Sequence, residues 1–158
     1  MKDTRYVRRS GFLSNCFAFM AEMATYIGVQ PRTASADPAV APPGIARGTR
    51  VSYTTPPTAG YPTVVVTPGT TAIGDFICIT NLEVVLVGGV NVPKAGEVVS
   101  MHGGGKVPIL TTVAVNSGDA AYTAANGQAT NVATGATFIG TFTQTTAGAG
   151  IAEVELGV

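Results

Sequence analysis

From Thr63 onward, short runs of β-branched and aromatic residues alternate with breaks rich in glycine and asparagine. The runs are Thr63–Thr67, Asp75–Thr80, Glu83–Val87, Glu97–Met101, Lys106–Val115, Ala120–Thr123, Gln128–Val132, Thr137–Thr143 and Ile151–Leu156. The breaks include Pro68-Gly69, Gly88-Gly89, Gly103-Gly104-Gly105, Asn116-Ser117-Gly118-Asp119 and Asn126-Gly127. Runs of this kind, each about four to eight residues long and bounded by turn residues, predict strands. Their number and spacing predict an all-β fold, a small β-barrel or β-sandwich. Ala125-Asn126-Gly127-Gln128 is the sharpest local signal, because Asn-Gly tolerates the positive φ angles a tight hairpin needs. Gly74-Asp75 and Gly118-Asp119 each open a strand pair. That echo reads as a turn preference that recurs in β proteins, not as a repeat.

The first 62 residues follow a different pattern. Phe12, Cys16, Phe19 and Met23 fall at helical spacing within Phe12–Tyr26. Seven of the ten prolines lie in residues 31–62. Proline lacks an amide donor and fixes φ, so this stretch reads as an extended arm or linker. The expected organisation is therefore a Pro-rich N-terminal arm over residues 1–62 and a β-rich domain over residues 63–158. Met23 offers a second possible start, which would make residues 1–22 an upstream extension.

Composition changes the picture of the surface. The chain is 46% hydrophobic but only 11% charged, against roughly 25% in average domains. Thr, Ser, Asn, Gly and Ala must cover the exterior, and such a neutral surface suits packing side by side in an array. The net charge is zero but unevenly spread: residues 1–50 carry +4 and residues 51–158 carry −4. A basic arm on an acidic body can reach a neighbouring copy or an acidic patch elsewhere. The two cysteines, Cys16 and Cys78, make no disulfide framework. Cys78 reads as a buried free thiol. No apolar run approaches the ~18 residues of a membrane-spanning helix.

Enzyme and metal motifs fail on their own chemistry. His102-Gly103-Gly104-Gly105 imitates an oxyanion loop, but there is no G-x-S-x-G nucleophile turn, and His102 is the only histidine. Gly103-Gly104-Gly105-Lys106 lacks the remainder of a phosphate loop. One histidine and two distant cysteines do not make a zinc site. Asp75 and Asp119 are expected to close turns through their own backbone rather than share a calcium ion. The acidic β body, with two lysines, does not offer the positive groove of a nucleic-acid binder. No catalytic residue, metal ligand or cofactor is assigned.

The order of motifs carries a resemblance. Lys94-Ala95-Gly96-Glu97-Val98-Val99-Ser100-Met101 is followed by Lys106-Val107-Pro108-Ile109-Leu110. Ser117-Gly118-Asp119-Ala120-Ala121-Tyr122, Asn126-Gly127-Gln128-Ala129-Thr130, Phe138-Ile139-Gly140 and a last strand at Ala152–Leu156 come next. In this order, residues 62–158 resemble the capsid-cement, or head-decoration, family of tailed phages. The resemblance implies a non-enzymatic β domain on the outer surface of the virion, bound to the major capsid protein and associated with itself as a homotrimer. Residues 1–60 lie outside it. Within and beside the arm, Arg32, Arg47, Arg50, Tyr53 and Tyr61 combine extended backbone with side chains enriched at interfaces. They are the expected capsid contacts, and the alternative for this segment is a tether without fixed contacts. A different class of function also fits the sequence, an exported β-sandwich adhesin. It draws on the basic start and on Ala34-Ser35-Ala36, which imitates a leader cleavage site.

Overall fold

The structure, a computed structural model, describes residues 31–40, 44–54 and 61–157. It is all-β, as the pattern predicts, and is built from two closed five-stranded barrels and one hairpin. The first barrel contains β1 (Arg32–Ala36), β2 (Arg50–Tyr53), β3 (Thr63–Val66), β4 (Phe76–Cys78) and β7 (Ala95–Ser100). The hairpin is β5 (Val84–Val87) and β6 (Val90–Pro93). The second barrel contains β8 (Gly105–Thr111), β9 (Ala120–Thr123), β10 (Ala129–Thr130), β11 (Phe138–Phe142) and β12 (Gly150–Leu156).

The expected boundary at residue 63 needs correction, because β1 and β2 lie in the stretch assigned to the arm. Pro31 and Pro38 flank β1, and Pro62 immediately precedes β3. Strands of four and five residues fit between prolines that would break longer ones. Residues 1–30, 41–43 and 55–60, with the helical pattern at Phe12–Tyr26 and the alternative start at Met23, lie outside the described residues.

The two barrels are copies of one design. Around the first, the order is β1-β3-β2-β4-β7; around the second, it is β8-β10-β9-β11-β12. In both, the first and third strands pair in parallel and every other neighbour is antiparallel. The correspondence extends to single hydrogen bonds. Gly48 N–H donates to Cys78 O at 2.7 Å, and Gly118 N–H to Phe142 O at 2.8 Å. Cys78 N–H donates back to Thr49 O at 3.0 Å, and Phe142 N–H to Asp119 O at 2.9 Å. An isolated bridge joins Ile45 to Leu82 in one barrel and Val115 to Thr146 in the other. The Gly-Asp echo in the sequence does not mark this duplication. Asp75 precedes the fourth strand of its barrel, whereas Asp119 precedes the second strand of its own.

β4 and β7 explain how the barrels join. Side chains alternate along a strand, so Phe76, Cys78 and Val98 point into the first barrel with Val51, Val64 and Leu82. Ile77, Val99 and Met101 point outward and merge with the core of the second barrel, among Val107, Ile109, Ile139, Phe142 and Val154. Both faces are covered along β4 and at Val98-Val99 of β7, which is why those stretches are continuously apolar. The loop Thr70–Ile73 is also stitched to the second barrel. Thr123 Oγ1 donates to Thr70 O, and Thr137 Oγ1 donates to Thr71 O at 2.6 Å.

Candidate contact surface

Arg50 is not available as a contact. It sits at the start of β2 with its side chain directed out of the first barrel and fully buried in the junction. Its Nε donates to Gln128 O at 3.0 Å and its Nη2 to Ala124 O at 2.7 Å, both beside the Asn126-Gly127 turn of the second barrel. Its Nη1 donates to Ile73 O at 2.8 Å and to Ala72 O. Burial lowers the guanidinium from its ordinary value to about 10, so it stays charged at neutral pH and these bonds are charge-assisted. Sequence reasoning placed Arg50 outside because arginine is rarely buried. The planar fork, which reaches several carbonyls at once, makes it a suitable exception.

The turn it grips has three residues, Ala125–Gly127, rather than the two expected from Asn-Gly. Asn126 and Gly127 both have positive φ, at 56° and 68°. A Cβ on Gly127 would lie 2.5 Å from Arg50 O, so a larger residue would push the turn off the first barrel.

The other four expected contacts are exposed, and they divide between two ends of the first barrel. β1 and β3 start where β2 finishes, so Arg32, Tyr53 and Tyr61 gather at one end. There Tyr53 N–H donates to Asp75 Oδ2 at 2.9 Å, and its ring meets Phe76 edge-on at 4.8 Å. Asp75 thus ties two strands together instead of closing its own turn. Asp119 does close a turn: the Asn116 N–H at 2.9 Å, then the Asn131 amide at 3.2 Å, hold its carboxyl below the usual range. Arg47 lies at the opposite end, where its N–H donates to Asn81 Oδ1 at 2.8 Å.

The β5–β6 hairpin leaves this second end, and half of it was missed in the sequence. Val84 to Pro93 contains no charge. At its base the Lys94 ammonium meets Glu83 Oε2 at 2.9 Å. Register pairs Val85 with Val92 and Val87 with Val90, which places four valines on one face. Val87 and Val90 are 59% and 63% exposed, and Leu86 on the other face is 70% exposed. The corresponding connection of the second barrel has only residues 147–149 between its bridge and β12, so the barrel design does not require a hairpin there. Closed barrels have no free edge. Among the described residues, the open sheet edges are those of this hairpin.

No protein-family model matches the chain, and no curated protein matches it.

The groups that suggested chemistry have structural surroundings. His102 is exposed in the bend linking the barrels. Lys106 lies on β8, 3.4 Å from Glu153 Oε1. Among the described residues, no three of His, Cys, Asp and Glu assemble as a metal site, and no helix is long and apolar enough to cross a membrane. Cys78 is buried inside the first barrel, where desolvation pushes its thiol up to about 12. The reactive thiolate is therefore suppressed. In a Cys16→Ser variant, we expect no thiol to react with Ellman's reagent in the native protein and one to react after unfolding. Rapid native labelling would mean that the first barrel opens.

Proposed function

We propose that the chain is a structural decoration protein that binds the outside of an assembled phage head and reinforces it. The observation that carries this reading is the end of the first barrel, where Arg32, Tyr53 and Tyr61 are exposed together. Exposed arginine and tyrosine are enriched at protein interfaces. The ordered motifs that resemble the capsid-cement family support it further. Gly118-Asp119-Ala120-Ala121-Tyr122, Asn126-Gly127 and Ile139-Gly140 all fall in the second barrel, where they form the lead into β9, the junction turn and the bulged strand β11.

In this reading the partners are the major capsid protein and further copies of the chain, as a homotrimer. The shell contact is the end of the first barrel that carries Arg32, Tyr53 and Tyr61. Binding only the assembled lattice stabilises that state by mass action, and a multimer strengthens a weak contact because its later attachments are intramolecular. The adhesin alternative is less well supported. Ala34-Ser35-Ala36, its cleavage signal, is the buried end of β1, and cutting there would remove a strand from a closed barrel.

Purified chain added to expanded heads that lack it should co-sediment with them and raise the temperature at which they release DNA. A combined Arg32→Glu/Tyr61→Ala variant should bind at least about tenfold more weakly, because charge and aromatic area are both lost. No binding to heads by the unaltered chain, or identical thermal release with and without it, would overturn the proposal.

A further inference from the structure

We propose that the valine face of the β5–β6 hairpin is the surface through which copies of this chain associate. The inference deepens the decoration reading: it takes from it the expectation of a multimer, and takes the surface from the hairpin itself.

Three observations select this face and this occupant. First, the hairpin projects without cover from the described residues, and a two-stranded hairpin alone in water is marginal. A second apolar layer would stabilise it. Val85, Val87, Val90 and Val92 form two cross-strand pairs on one side, a flat β-branched surface of the kind that packs against another sheet face at about 10 Å.

Second, the charge pattern suits an identical partner. A face without charge meets its own copy without repulsion. The nearest charges, Glu83 and Lys94, neutralise each other within each copy at 2.9 Å. A strongly basic or acidic partner would find nothing to pair with here.

Third, the hairpin is an addition to one of two otherwise matched barrels. It stands at the end opposite Arg32, Tyr53 and Tyr61, so self-association leaves that end free. β6 closes with Pro93, which has no amide donor and blunts that edge against strand addition. Packing through the face therefore fits better than pairing through the edge.

The experiment measures the mass of the full chain in solution by light scattering, without heads, up to about 100 μM, a range that captures micromolar association. We expect the unaltered chain to be a multimer. Val87→Lys/Val90→Lys should weaken self-association by about 100-fold, since like charges then face each other. Leu86→Lys, on the opposite face, should leave the mass unchanged. Thermal melts should show that each variant retains its barrels, and Val87→Thr/Val90→Thr, which keeps shape and strand preference, supplies a milder version. A monomeric unaltered chain, a multimer that persists in the valine variants, or equal dissociation by Leu86→Lys would each overturn the inference. Head binding is scored separately. A monomer that still co-sediments with heads removes this surface and leaves the decoration reading standing; a multimer that ignores heads does the reverse.

Discussion

Arg50→Met should destabilise the fold by about 3 kcal/mol, because it leaves buried carbonyls without their donor. Methionine keeps much of the stem's volume, so a new cavity adds little to the loss. Gln128 O retains the Ala124 N–H at 2.9 Å. The carbonyls of Ala72, Ile73 and Ala124 lose the guanidinium, and backbone acceptors cannot be mutated away to compensate. Removing the charge also recovers a desolvation cost, which keeps the net loss below the sum of the bonds. That cost has a definite sign. The folded pKa, about 10, lies below arginine's ordinary value. Burial of the cation therefore opposes folding at neutral pH, and would be relieved only as pH rises through that interval. Arg50→Lys should recover less than half of the loss, since one ammonium cannot span the acceptors of both barrels. Calorimetry should show the midpoint of Arg50→Met falling by roughly 6–12 °C. A fall below about 2 °C would mean that water substitutes for the guanidinium and that the junction does not depend on it.

Gly140→Ala should cost about 3 kcal/mol or more, the upper range for overpacking. Gly140 sits at φ 154° beside a register shift in the pairing of β11 with β9. A Cβ there would fall on the carbonyl oxygen of Glu155 in the neighbouring β12. A backbone atom in a closed barrel cannot rotate aside, so the strands must part or the bulge must move. Gly148→Ala is the matched control. It stands between β11 and β12 with nothing near its missing Cβ, and should change stability by less than about 0.5 kcal/mol. Urea denaturation of the two variants compares them directly, and equal midpoints would show that the bulge absorbs a methyl group.

Nine strands were legible in the sequence because each carries its own apolar signal between turn residues. Three were not. β1, Arg-Thr-Ala-Ser-Ala, contains no large apolar side chain; its alanines are buried because neighbouring strands close over them. β2 begins with an arginine that reads as surface, and β6 ends in proline. The duplication was hidden for a related reason. Register and hydrogen bonds are properties of the backbone, and the matched positions Cys78 and Phe142, or Leu82 and Thr146, differ in side-chain size or polarity. At the surface, Arg32, Arg47, Tyr53 and Tyr61 were legible as exposed polar or aromatic groups. Arg50 was misplaced because its partners, loop carbonyls far along the chain, leave no trace in local composition. The hairpin's exposed apolar face was visible only as the absence of charge from Val84 to Pro93.

In the proposed self-association, the restriction of the hairpin to one barrel sets the valency of the molecule. Two such appendages, one on each barrel, would let every chain bridge two others, and growth would have no natural end. A single appendage lets a cluster saturate once its apolar faces meet. Grafting β5–β6 into the 147–149 connection would therefore turn a finite particle into an open polymer.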